Sequence, residues 1–409
     1  MKEICIVNYI TDATKYYGIG TYLENYIYCL NNLGYKINII ELGIGKCKTD
    51  LFIKEEGNIR LLLFTCPPLS DIDSYYMGVC RLLRLYISDS INLIFHYNHP
   101  APGDIFFDII KNNFPLSKSI ITIHYLLWRE IFQGNVELYK RVISNQKSEK
   151  TKVKYCNLIN GFEKEKVFYS KFDRIICLSE DTLNLIQNQY SVKKNVWLIP
   201  NGMKKDNLRL SENQKKSFRK KFHLSPDEKI LLYVGRIEPI KGIMHLLECF
   251  NGVIKEYPNC RLVVIGDGKI QEAIKQCKNT LSKVIFTGRM DKETLCRWYQ
   301  LADIAVFPSF YEECSFVGIE MMMNGLPIVA SDGYSVKNMF QDGINAKVAR
   351  IESWGRRSIF KDNLKKSIFD LLNSDLLSSE IRKGALKTYQ SKYSIECMQK
   401  GYSNLLNEL

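Results

Sequence analysis

Short, nearly continuous apolar runs recur along this chain, separated by longer stretches with helical periodicity. In the first half they fall at residues 4–9, 37–41, 60–65, 92–96, 120–124, 174–179 and 196–199. Between the first two, residues 21–33 set Leu23, Ile27 and Leu30 on one helical face at spacings of four and three. The second half repeats the pattern, with strands at 230–234, 262–265, 284–287, 304–307 and 328–330. Helices fill 243–257, 270–279, 292–301 and 317–324, and residues 355–409 read as wholly helical. A strand with no polar alternation is buried on both faces, and amphipathic helices supply the cover. The pattern therefore predicts α/β architecture with doubly wound parallel sheets.

At 409 residues the chain exceeds what one hydrophobic core supports, so two domains are expected. The seam falls at the turn signal Pro200-Asn201-Gly202, which a polar, basic run follows. This predicts a Rossmann-like domain over 1–200, a second over 201–390 facing it across a cleft, and a helix at 391–409 packing back on the first. In open α/β sheets ligands bind beyond the carboxyl ends of the strands, so the loops after strands carry the chemistry.

Composition removes several classes. No run approaches the roughly 18 apolar residues of a spanning helix, and residues 1–10 lack the pattern of a secretory signal. The 13 cysteines form no Cys-x-x-Cys pair and many lie inside apolar runs, which fits small buried hydrophobes in a reducing cytoplasm. The expected location is cytoplasmic, with peripheral contact on the inner membrane face as an option. The net charge of +13 is uneven: residues 1–200 hold 24 basic and 20 acidic groups, a net of +4, leaving +9 beyond. Much of the excess lies in 204–221, where eight Lys and Arg accompany only Asp206 and Glu212. A solvated linker and helix face explains it; attraction to an anionic membrane or a phosphate-bearing acceptor is the functional alternative. No nucleic-acid-binding module accompanies the charge, so nucleic acid is not an expected partner.

Three loops combine glycine with functional groups. Gly18-Ile19-Gly20 stands between the first strand and helix, where a backbone can approach a phosphate; a plain flexible loop is the alternative. Gly235-Arg236 ends a strand and Lys241-Gly242 precedes a helix, a pairing of guanidinium fork and ammonium that suits a diphosphate. Glu312 follows the strand at 304–307, and Glu320 comes eight residues later, one turn into a helix whose start includes Phe316, Val317 and Gly318. Free N–H groups there can meet a phosphate, while the two carboxylates can accept from vicinal hydroxyls. The bland alternative is a helical Glu320 with a basic partner and a solvated Glu312. His96 and His99 hint at a metal pair, but no third ligand accompanies them, and a structural role is expected. The stretch from Trp128 to Lys171, with Tyr139, Lys140, Arg141, Lys150, Lys152, Lys154 and Tyr155, reads either as a solvated helix pair or as an acceptor or membrane-surface site.

Pro308-Ser309 followed by Glu312-x7-Glu320, with Gly235-Arg236 and Lys241-Gly242 upstream, resembles glycosyltransferase family four of the GT-B fold. The likeness is dense over 195–345 and looser before it. It implies a retaining, metal-independent transferase without a cofactor, acting on a nucleoside-diphosphate sugar, UDP- or GDP-linked, and a glycan or lipid-linked acceptor. By the same resemblance Arg236 and Lys241 hold the diphosphate, Glu312 the transferred sugar and Glu320 the ribose. Gly18, Gly20, Gly235, Phe316, Val317 and Gly318 complete the donor contacts, and His124, ending the strand at 120–124, faces acceptor and sugar. The chain departs from the family where Gly333 stands alone, Asn338 takes a usual Glu place and Ala346 a usual Gly place. A non-catalytic accessory subunit, or a GT-B epimerase or phosphorylase, is the competing reading.

Overall fold

The computed structural model describes residues 2–10, 18–43, 51–65, 72–98, 103–145, 149–193, 195–205, 209–352 and 357–409. They form two compact units, each described here by itself. Unit 1 comprises Met1–Leu126, Val142–Gly202 and Ile395–Leu409; unit 2 comprises Leu127–Arg141 and Met203–Ser394. The chain thus enters unit 2 once, over Leu127–Arg141, long before its second half begins.

Unit 1 is built on β1 (Glu3–Ile10), β2 (Lys36–Gly43), β3 (Leu51–Glu56), β4 (Ile59–Thr65), β5 (Leu93–Tyr97), β6 (Lys118–Ile123), β7 (Arg174–Cys177) and β8 (Val196–Leu198). Their order is β3-β4-β2-β1-β5-β6-β7-β8. Every pairing is parallel except β3 with β4. The apolar-run argument misses β3 because Lys54, Glu55 and Glu56 interrupt it. It is a largely exposed edge strand, and charges on an edge discourage pairing with another chain.

The first helix runs Gly18–Asn32 rather than from residue 21, so Gly18 and Gly20 lie in its first turn. Its buried stripe is Tyr22, Tyr26, Cys29 and Leu30, not the expected Leu23 and Ile27, because the aromatic rings take the centre of the face. The helix Ile395–Asn407 completes this core from the far end of the chain. Tyr402 lies 4.4 Å from Tyr26 between ring centroids, and Asn32 donates to Gln399 at 3.0 Å.

Unit 2 holds β9 (Lys229–Val234), β10 (Cys260–Ile265), β11 (Val284–Gly288), β12 (Ile304–Phe307), β13 (Ile328–Ser331) and β14 (Lys347–Ala349), in the order β11-β10-β9-β12-β13-β14. All pairings are parallel. Leu231, Tyr233, Leu262, Val264 and Val306 meet Leu246 and Phe250 of the helix Ile243–Glu256, and Leu364 and Ile368 of the helix Arg357–Leu372, in one core. The tail is not one helical run. Helices Arg357–Leu372, Asp375–Thr388 and Ile395–Asn407 are separated by a capping break, where Ser374 accepts from the Leu377 N–H, and by a π-helical turn at Tyr389–Tyr393.

Other features settle simpler questions. The helix Glu212–Lys221 buries only Phe218; Lys216, Lys220 and Lys221 are exposed, while Arg219 turns in to the Ser225 and Glu228 carbonyls and Asp303; Asp206 lies outside the described residues. The described cysteines are all free, and most are buried. Among the described residues no helix is long and apolar enough to cross a membrane.

The helix Asp375–Thr388 crosses the loop at Ile344 so closely that a Cβ on Gly384 would stand 1.8 Å from the Ile344 carbonyl oxygen. Helix propensity alone favours Gly384→Ala by about 1 kcal/mol. The contact predicts the opposite, a loss of about 3 kcal/mol. Urea denaturation decides the sign, and a stabilised variant would refute the close approach.

Candidate functional site

Strand order locates the site of unit 2. From central β9 the chain builds β10 and β11 on one side, then returns to add β12, β13 and β14 on the other. The carboxyl ends of β9 and β12 therefore flank the point where the order reverses, which is where open α/β sheets take ligands. The loop after β9 carries Gly235, Arg236 and Lys241, and that after β12 carries Ser309 and Glu312. Gly242 lets the two loops touch. It adopts a left-handed φ of 71°, and a Cβ there would stand 2.0 Å from the Pro308 carbonyl oxygen. Beside it the Phe310 N–H donates to the Ile240 carbonyl at 2.9 Å.

That contact brings Lys241 and Glu312 together. Lys241 Nζ lies 2.7 Å from Glu312 Oε1, with side-chain exposures of 18% and 11%, so water screens the pair little. Ser309 Oγ donates to the same carboxylate oxygen at 2.8 Å, and the Glu312 N–H donates to the Tyr334 carbonyl at 3.1 Å. Arg236 pairs with Glu238 at 2.8 Å and remains one-third exposed. Its carbonyl accepts from Tyr233 Oη at 2.7 Å. Burial, with the Glu312 and Glu238 carboxylates adding, holds that phenol well above its usual pKa, so it stays a donor.

Glu320 lies one turn into the helix Phe316–Met323. Ser315 caps this helix, accepting from the Gly318 N–H at 3.4 Å. The geometry of a helix start leaves the Phe316 and Val317 N–H groups without intrahelical acceptors. Glu320 Oε2 accepts from Tyr299 Oη at 2.7 Å. Tyr299 is buried, and burial together with the Glu320 carboxylate raises its pKa well above the usual value. The loop after β13, which holds Gly333, is tied to the β12 loop: the Tyr334 N–H donates to the Phe310 carbonyl at 3.0 Å. A Cβ on Gly333 would stand 2.5 Å from the Ser309 carbonyl oxygen, so the glycine that remains has a steric reason.

Gly18, Gly20 and His124 belong to unit 1, and the other eight residues to unit 2. His124 directly follows β6, with its ring edge-on to Tyr22 at 4.4 Å. His96, on β5, is fully buried; its Nδ1 lies 2.6 Å from Tyr26 Oη and its Nε2 2.7 Å from Thr122 Oγ1. Both ring nitrogens are engaged, which leaves none for a metal ion. His99 lies outside the described residues.

Tyr299, Tyr233 and Ser309 are the supporting groups that the spacing argument misses. Ser309 lies within the quoted Pro308-Ser309 motif, though its bond to Glu312 is not read from spacing, whereas the two tyrosines sit on neighbouring elements and carry no local signal. The segment Leu127–Arg141 is a further surprise. Trp128 and Tyr139 are buried and stacked at 4.9 Å. Trp128 also meets Tyr311 at 5.4 Å and Tyr334 at 5.0 Å, edge-on, and those two rings stack on each other at 5.2 Å beside Glu312. Tyr139 is thus no surface residue, as an acceptor or membrane contact there requires; Lys150 and Lys152 have side chains outside the described set.

Burial, reinforced by His124, pushes the His96 pKa down to about 3 from 6.5. Below pH 6.5 the unfolded chain binds a proton that the folded one refuses. This contribution is therefore intact above 6.5 and is lost as pH falls toward 3, by about 1.4 kcal/mol per unit. Acidifying from pH 6.5 to 5 should cost about 2 kcal/mol through this group. Melting curves of His96→Gln should show a flatter slope across that window, and a slope equal to wild type would refute the assignment.

Known proteins resemble the chain as follows. Residues 214–383, all within unit 2, match the family described as glycosyl transferases group 1. An uncharacterized glycosyltransferase of Methanocaldococcus jannaschii is 30% identical over 190 residues, covering 42% of this chain and 48% of that protein. The chain spans about half the length of the curated relatives it matches. Among solved structures, sucrose-phosphate synthase from Thermosynechococcus elongatus superposes with a TM-score of 0.74 at 18% identity, covering 100% of this chain and 99% of that one. Anabaena HepE, crystallised with UDP-glucose, superposes with a TM-score of 0.71 at 14% identity, covering 100% of both chains. These likenesses show a GT-B fold, with a glycosyl transferases group 1 segment over residues 214–383.

Proposed function

We propose that this chain, which carries a glycosyl transferases group 1 segment in a GT-B fold, is a retaining, metal-independent glycosyltransferase. Its donor is a nucleoside-diphosphate sugar, UDP- or GDP-linked, and its acceptor a hydroxyl of a glycan or lipid-linked saccharide. The observation that carries the reading is the Lys241–Glu312–Ser309 cluster at the sheet reversal, with Arg236 in the same loop as Lys241 and the helix Phe316–Met323 following Glu312 in the chain. Arg236, Lys241 and the Phe316, Val317 and Gly318 backbone take the diphosphate, and Gly235 gives it room. Glu312 accepts from sugar hydroxyls and Glu320 from the ribose. Gly18 and Gly20 offer helix-start N–H groups to phosphate, and His124 positions the acceptor.

In the reaction the bond from the anomeric carbon to the diphosphate oxygen breaks, and the acceptor oxygen bonds to that carbon on the same face. The acceptor proton passes to the departing diphosphate. Negative charge grows on the leaving group as the bond lengthens, so Arg236 and Lys241 bind the transition state more tightly than the ground state. Two cations and a helix start supply there the charge that a metal supplies elsewhere.

Thermal-shift measurements with UDP, GDP, ADP and their sugar conjugates, in EDTA, test the donor site. One nucleoside diphosphate should raise Tm by mass action, and Glu320→Ala should abolish the shift. Arg236→Ala removes only a part-exposed pair, so stability should change by less than about 1 kcal/mol. Turnover should fall about a hundredfold or more. Equal losses of stability and turnover would overturn its role. Product NMR showing an inverted anomeric centre would refute retention.

A further inference from the structure

Two side chains that the transfer reading gives to opposite ends of the donor, Lys241 to the diphosphate and Glu312 to the sugar, are paired with each other in this structure. Lys241 Nζ and the Ser309 hydroxyl both donate to Glu312 Oε1, at 2.7 and 2.8 Å. Side-chain exposures of 18% and 11% leave the pair within reach of a ligand. They also leave little water to take over either charge when the pair opens. Arg236 contrasts with it. Its pair with Glu238, at 2.8 Å, keeps 34% and 33% of the two side chains in water, which screens the attraction and hydrates either group once parted.

The two pairs answer an incoming anion differently. A diphosphate can draw Arg236 from Glu238, because solvent receives the released carboxylate. Drawing Lys241 away strands the Glu312 carboxylate out of water, with a new negative charge close to it. An anion that brings nothing else therefore gains little from Lys241. A sugar changes the balance. Its hydroxyls are neutral donors, so they can replace the ammonium on Glu312 without adding charge. Ser309 keeps hold of Oε1 and fixes the carboxylate while Lys241 turns to the phosphate.

We propose that Glu312 masks Lys241 and thereby makes the site selective for a sugar-bearing diphosphate over a bare one. The assignment of the two ends of the ligand rests on the transfer reading above; the masking of the lysine does not. The device couples the two halves of one ligand: hydroxyl contacts at Glu312 release the cation that the diphosphate needs. Bare pyrophosphate or a bare nucleoside diphosphate is held without Lys241.

The test uses the full chain as wild type, as Glu312→Gln, and as a double variant with Lys241→Gln and Glu312→Gln together. Each is titrated calorimetrically, in EDTA, with inorganic pyrophosphate, UDP, GDP, UDP-glucose, UDP-N-acetylglucosamine and GDP-mannose. Glu312→Gln unmasks Lys241, so pyrophosphate should bind about tenfold or more tighter than to wild type, although the variant melts lower without ligand. The double variant has the net charge of wild type and strands neither group, so its pyrophosphate affinity should match wild type within about twofold. Wild type should bind one sugar conjugate about tenfold or more tighter than its own bare nucleotide, and Glu312→Gln should level the two. Pyrophosphate affinity unchanged or lowered in Glu312→Gln overturns the masking. If that variant does not fold, the double variant decides: a loss of about tenfold or more against wild type would mean that Lys241 already serves bare anions. Absence of pyrophosphate binding in every form also overturns the masking. Wild type that binds the bare nucleotide as tightly as its conjugate overturns the selectivity. A pyrophosphate gain in Glu312→Gln, with no nucleotide or conjugate bound by any form, upholds the masking and defeats the transfer reading and the selectivity with it.

Discussion

At the reversal of the six-stranded sheet, the backbone of the β9 loop lies against that of the β12 loop, with Gly242 over the Pro308 carbonyl. A side chain at 242 would push the loops apart, and Lys241 would no longer reach Glu312 at 2.7 Å. The other contacts of the site follow from this approach. Phe310 is bound to Ile240, Tyr334 to Phe310 and Glu312 to Tyr334, so three successive loops share one short backbone ladder. Trp128 and Tyr139 then close one side of it from a segment far away in the chain.

The ladder has an electrostatic consequence. A lysine and a glutamate held mostly out of water are costly unless paired, and removing one partner leaves the other stranded, at about 3–5 kcal/mol. The Lys241–Glu312 pair thus holds the two loops together. Arg236 differs, because Glu238 and solvent share its charge. Breaking that part-exposed pair costs the fold little. Tyr299 and Tyr233 act through the groups they hold: each phenol is kept protonated by burial and a nearby carboxylate and so can only donate to its partner.

Unit 1 places polar groups in its core by another route. His96 is neutral and fully engaged, and Tyr22, Tyr26 and Tyr402 surround it. A buried polar core that meets its own hydrogen-bonding needs gives rigidity.

The amino-acid sequence by itself determined the α/β class, most of the parallel strands and the loops that carry Arg236, Lys241, Glu312 and Glu320. Apolar runs and helical spacings report which faces are buried, and that information is local along the chain. It failed at β3, whose charges mark an exposed edge, and at the first helix, where tyrosines displace Leu23 and Ile27 from the centre of the buried stripe. Tertiary structure alone decided that Tyr299 serves Glu320, that Ser309 serves Glu312, and that Leu127–Arg141 joins unit 2. Each of these depends on strand order and on the meeting of distant loops, and hydrophobic periodicity encodes neither.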